Sequence, residues 1–145
     1  MADSLSARIR RLEDVEAIRN LIASYGPLAD RGDAAGVARL WTADGEYDVA
    51  GHGTAHGRAE IAALITGETH RGLMARGCAH ILAPHHIDLA GDRAVATGYS
   101  IVFRREGDAF EPWRVSANRW DLGRQEDGRW LVTRRVNRPI APHRP

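Results

Sequence analysis

Apolar residues recur at helical spacing at the start of the chain. Ile9, Leu12, Val15, Ile18, Leu21 and Ile22 fall three or four apart and mark one face of an amphipathic helix. Gly26-Pro27 interrupts the run. Proline lacks a backbone donor and its ring collides with the preceding turn, so the helix is expected to kink or stop there. Asp33 is placed to cap a short second helix running through Val37 and Leu40 to Trp41. A brief strand is expected over 46–49 and a glycine-rich loop over 51–57. Ile61, Leu64 and Ile65 then mark a third short helix, ended by Gly67.

From Cys78 onward the pattern shifts to that of strands, expected over 78–90, 93–105, 113–125 and 129–138. Ala90-Gly91-Asp92, Glu106-Gly107-Asp108 and Glu126-Asp127-Gly128 carry the turn chemistry between them. Helices first and an antiparallel meander after predict an α+β fold. The strands exceed the usual length of about five or six residues, so the sheet is expected to coil around the helices. In the third strand Ser116 and Asn118 share a face with Trp120. A half-buried strand normally turns its polar residues away from the apolar face. Polar groups beside a large aromatic therefore suggest a wall that receives something polar, a ligand pocket rather than a solid core.

Composition narrows the class. The 145 residues read as one domain over 1–145, with a patterned core over about 5–138. Twenty basic and nineteen acidic residues leave a formal charge of +1, and the arginines are scattered, so no nucleic-acid partner is expected. No apolar run approaches membrane-spanning length, and the N-terminus lacks the charged-then-apolar order of a secretory signal. A lone cysteine, Cys78, excludes an internal disulfide and fits a cytoplasmic location. Every basic residue is arginine, which removes Schiff-base chemistry and the phosphate-binding lysine of nucleotide loops. No Gly-x-Gly-x-x-Gly sits between a strand and a helix, so no dinucleotide cofactor is expected. His52 and His56 lie in a glycine-rich loop, and adjacent His85 and His86 on a strand would point to opposite faces; no metal is expected.

The residues left for chemistry are few. Tyr25 and Asp30 bracket the Gly26-Pro27 interruption; on an ideal helix five residues advance roughly 140° beyond a full turn, so the two would not share a face. Asp30 reads either as a solvated acid beside Arg31 or as the partner of a base, and Tyr25 as a core aromatic or a hydroxyl donor. His80 reads as a half-buried strand histidine or, with a carboxylate on one ring nitrogen, as a general base near neutral pH. Of the tryptophans, Trp130 reads as core, and Trp120 as core or pocket wall.

Taken together, Tyr25 and Asp30 on the first helix, Asp33-x-x-x-Val37-x-x-Leu40-Trp41, Gly57-Arg58-x-x-Ile61, His80 and Asp127-Gly128-x-Trp130 resemble the SnoaL-like branch of the cone-shaped nuclear transport factor-like superfamily. Within it the closest likeness is to scytalone dehydratase and the bile acid dehydratases. The resemblance implies a cone-shaped α+β barrel, with N-terminal helices packed on a strongly curved, mostly antiparallel sheet. It also implies a cofactor-free lyase with His80, Asp30 and Tyr25 as catalytic residues. Asn118, Ser116, Trp120, Tyr99 and Trp41 would contact a small hydrophobic or cyclic substrate. Copies would pair as a homodimer or homotrimer through the outer face of the sheet, with Arg119 and Arg135 as candidate interface residues. An isomerase or cyclase of the same superfamily, or a non-catalytic binding domain or subunit, remains the alternative.

Overall fold

The computed structural model describes residues 3–142; residues 143–145, beyond the patterned core, lie outside the described residues. The first helix, α1 (Leu5–Asp30), opens on Ser4, whose hydroxyl accepts from the Ala7 N–H at 3.2 Å. The helix does not stop at Gly26-Pro27: α1 continues through them to Asp30. The proline removes one helical donor, but its own carbonyl still accepts from the Arg31 N–H at 3.3 Å. Tertiary packing holds the last turn: a Cβ on Gly26 would collide with the His80 carbonyl, so glycine lets the helix backbone lie directly against a strand.

Helix α2 (Ala34–Ala38) is capped by Asp33, whose carboxylate accepts from the Gly36 N–H at 2.8 Å. It ends before Trp41, which instead begins β1 (Trp41–Val49), a longer strand than the expected 46–49. Part of the expected glycine loop forms β2 (Gly53–His56), paired antiparallel with β1. After α3 (Gly57–Thr66) comes α4 (Glu68–Arg76), which the pattern did not reveal. Only His70 and Leu73 of α4 are buried, so it carries no apolar stripe to detect.

The expected strand over 78–90 is two strands, β3 (Cys78–Leu82) and β4 (His86–Ala90), split at Ala83-Pro84-His85. Both pair with β5 (Arg93–Glu106), which continues antiparallel into β6 (Ala109–Arg124) and β7 (Trp130–Pro139). The sheet is not a pure meander, because β1 joins β7 in parallel, giving the order β2-β1-β7-β6-β5-β3. Irregular registers at Trp41/Glu46, Val102/Phe103 and Asp121/Leu122 bend the strands. The result is an α+β fold in which helices pack on a mixed, curved sheet that does not close. Ile18, Ile22 and Tyr25 of α1, Val37, Ile61 and the tryptophans Trp41, Trp120 and Trp130 form the core between helices and sheet. No helix among the described residues is long and apolar enough to cross a membrane.

Candidate active site

A cavity of about 100 Å³ opens between the concave face of the sheet and the helices. Tyr25 of α1, His70 of α4, His80 of β3, Ser116 of β6 and Arg135 of β7 line it, and solvent-exposed His52 and Trp113 lie at its rim. By volume it would hold a compact molecule, on the order of one or two rings.

His80 and Asp30 meet beside this cavity. The His80 Nδ1–H donates to Asp30 Oδ1 at 2.6 Å, and the His80 backbone N–H donates to both carboxylate oxygens at 3.2 and 3.0 Å. Burial by itself raises the Asp30 pKa, but the hydrogen bonds from His80 outweigh it and hold the carboxyl below its ordinary range. A fixed Nδ1–H leaves Nε2 as the basic nitrogen of the neutral ring. Tyr25 and Asp30 thus approach His80 from different sides, as helical geometry requires. The Tyr25 ring stands edge-on to the imidazole with centroids 6.2 Å apart and faces the cavity, while Asp30 lies behind the imidazole.

Cys78 joins the pair from the same strand, its thiol donating to Asp30 Oδ1 at 3.5 Å. Ligand atoms of Asp30, Cys78 and His80 lie within 4.8 Å of one another, a spacing a cation could use. Burial and the Asp30 charge push the thiol up to about 12, so Cys78 is a protonated donor to Asp30. The three groups already satisfy one another by hydrogen bonding, which favours proton chemistry.

The other expected substrate contacts are placed differently. Ser116 lines the cavity, its hydroxyl accepting from Arg114 Nε at 3.3 Å. Asn118 lies behind the wall: its amide donates to Ser100 Oγ at 2.8 Å, and its carbonyl accepts from Arg135 Nε and Nη2 and from Asn137 Nδ2. It therefore positions Arg135 rather than facing the cavity. Trp120 and Trp41 are fully buried beneath the site, and neither lines the cavity. The Trp120 indole donates to His85 Nε2 at 3.2 Å and that of Trp41 to the Glu46 carbonyl at 3.0 Å. Tyr99 is 62% exposed on the outer face, because the strand alternation turns its neighbour Ser100 inward instead.

Arg135, expected at an outer interface, is 2% exposed and lies inside. It pairs in register with Trp120 on β6 and Tyr47 on β1, both inward-facing, which is the sequence signal once the pairing is known. Its guanidinium carbon lies 4.3, 4.6 and 4.0 Å from the ring centres of Tyr25, Tyr47 and Trp120, an aromatic cage for a cation. Burial raises the Tyr47 phenol, which stays a neutral donor in the cavity wall. His70 donates from Nε2 to the Ala29 carbonyl at 2.7 Å, and its ring lies 5.4 Å from that of His80. Burial keeps the His70 imidazole below its ordinary pKa. The sequence alone reveals neither inward position, because His70 lies on α4, which has no apolar stripe, and Arg135 on a strand whose inward parity is ambiguous until its pairing is known.

The geometry matches known proteins over nearly the whole chain. The SnoaL-like domain family matches residues 10–136. An NTF2-like protein with a cystatin-like fold from Novosphingobium aromaticivorans is 52% identical, with a TM-score of 0.93 over 99% of this chain and 94% of that one. ActVI-ORFA from Streptomyces coelicolor is 27% identical, with a TM-score of 0.76 over 88% and 96% of the two chains. A protein from Catenulispora acidiphila solved in complex with S-DNPA shares the fold, at 22% identity and a TM-score of 0.73 over 84% and 90%. No curated protein matches the chain.

Proposed function

The chain belongs to the SnoaL-like family, and on that premise we propose that it is a cofactor-free lyase, a dehydratase of small cyclic or polyketide-like hydroxy-ketones. The family includes polyketide cyclases and hydroxylases, which supports an enzyme that processes small molecules. The observation that carries the reading is the 2.6 Å contact of His80 Nδ1 with Asp30 beside a cavity that His80 lines. His80 Nε2 takes the proton next to the substrate carbonyl, and Asp30 positions the ring and stabilises the imidazolium that forms. As the C–H bond breaks, charge moves to the carbonyl oxygen, where the Tyr25 hydroxyl donates; Tyr47 is a second candidate donor. Such donors are worth more in a desolvated cavity than in water. Collapse of that charge forms the C=C bond and expels the hydroxyl, which leaves as water with the proton returned by His80. Ser116 shapes the wall.

His80→Ala should lower turnover of a cyclic hydroxy-ketone by roughly a hundredfold or more, with product mass followed by mass spectrometry. A product lighter by one water marks elimination; an isomer of equal mass would make the enzyme an isomerase or cyclase. Unchanged turnover in the variant would sink the assignment.

Copies are proposed to associate through the outer face of the sheet. The register places exposed Ile81, Tyr99 and Val115 together there. Sedimentation should give a dimer or trimer, and Tyr99→Asp should shift it toward monomer; a monomeric wild type refutes the association.

A further inference from the structure

The charges around the cavity do not balance. Arg114 and Arg135 both line it, and among the described residues no aspartate or glutamate does. Neither arginine pairs with a carboxylate anywhere among the described residues, although most of the other arginine contacts on this protein are to acids. Arg114 donates only to neutral acceptors, Ser116 Oγ at 3.3 Å and the Ala50 carbonyl at 3.1 Å. Arg135 gives Nε and Nη2 to one neutral oxygen, Asn118 Oδ1 at 3.1 and 2.8 Å, and its Nη1 is buried with no acceptor at all. The Asp30 carboxylate does not line the cavity, and its oxygens are engaged by His80 and Cys78.

A buried cation without a counter-charge is costly, and an unpartnered charged donor more so. The three aromatic faces around Arg135 offset part of this, but ring faces do not replace an acceptor in the plane of Nη1. Tyr25 and Tyr47 add hydroxyl groups to the same wall. The cavity wall carries two guanidinium groups and, among the described residues, no anionic acceptor. Guanidinium groups match carboxylates by geometry as well as charge.

We propose that the ligand of this cavity is a compact organic anion, a ring carrying a carboxylate, with the charged group bound by the guanidinium groups of Arg135 and Arg114. This deepens the lyase reading by naming the class of its substrate, and it rests on that reading only in taking this cavity as the substrate site. Arg135 and Arg114 then determine specificity: they bind the acid, while His80 acts on another part of the ring.

The test is binding, so it does not depend on turnover. Benzoate and 2-hydroxybenzoate are titrated calorimetrically into the full chain at neutral pH, against benzamide and 2-hydroxybenzamide. The carboxylates should bind at least tenfold more tightly than their amides. Arg135→Gln and Arg114→Gln should each reduce that preference severalfold. The wild-type comparison stands even where Arg135→Gln fails to fold, and Arg114, being half-buried, gives an independent variant. Equal affinity for acid and amide overturns the proposal. So does the absence of carboxylate binding up to roughly ten millimolar, or a preference that survives in a folded Arg114→Gln and Arg135→Gln double variant. His80→Ala separates the two readings: it should keep the carboxylate preference while losing turnover, so an inert wild type that still selects acids refutes the lyase and leaves the anion site intact.

Discussion

His85 shows how strictly single side chains are committed around this site. Its Nδ1–H donates to the Ala83 carbonyl at 2.6 Å, and its Nε2 accepts from the Trp120 indole at 3.2 Å. Only one neutral tautomer serves both; a protonated ring would set one N–H against another. Burial, with the Arg135 charge adding to it, accordingly lowers the His85 pKa from 6.5, and burial lowers that of His70 likewise. In the unfolded chain both take up protons as pH falls through 6.5, whereas the folded chain resists. Their contribution to stability is full above that value and is lost as pH falls toward the lowered folded values. Melting temperature should therefore drop as pH is taken from neutral into the acid range. His85→Gln, which can serve both partners without titrating, should flatten the drop; an unchanged slope would remove His85 as a cause. Asp14 is committed in the same way, only 8% exposed on α1 and gripped by Arg124 at 2.7 and 2.6 Å and by the Trp130 indole at 3.1 Å. Asp14→Ala leaves Arg124 and Trp130 without their acceptor and should lower stability by about 1–3 kcal/mol, read as a lower denaturation midpoint at unchanged slope.

At the scale of elements, the contact of α1 with β3 decides whether Asp30 reaches His80. Gly26→Ala would ordinarily favour a helix by about 0.5–1 kcal/mol. Here the added methyl meets the His80 carbonyl, a backbone atom that cannot swing aside, and overpacking of that kind costs about 1–3 kcal/mol. The clash wins, so the variant should be less stable and, with the helix end displaced, less active; a variant as stable as the wild type would refute the close approach. Much of this level could be read from the chain. The Asp33 cap, the third helix and all three hairpin turns are local signals, and local signals survive packing. The run through Gly26-Pro27 could not be read, because a tertiary contact overrides a local breaker. Helix α4 was hidden because only two of its nine residues are buried. His80 and Asp30 could be paired from sequence, but Tyr99 and Arg135 were assigned to the wrong faces. On β5 the inward positions near Tyr99 are small, and on β7 a polar pair, Arg135 and Asn137, faces inward. Strand parity is settled by pairing register, which no single strand reveals.

For the whole molecule, the parallel pairing of β1 with β7 matters most. It sets Tyr47 beside Arg135, roughly ninety residues apart in sequence, and encloses the cation between neighbouring strands from opposite halves of the chain. Helix α1 and strand β3 bring Asp30 and His80 from one side, while β7 brings Arg135 and Asn137 from the other. Contacts of such separation form late and slow folding. During synthesis His80 and Asp30 therefore leave the ribosome before the strand that completes the wall has been made. A chain emerging from the ribosome carries His80, Asp30 and Arg114 before it has Arg135, the second half of the proposed anion site. The proposed chemistry and the proposed selectivity then begin together, when the last strand docks.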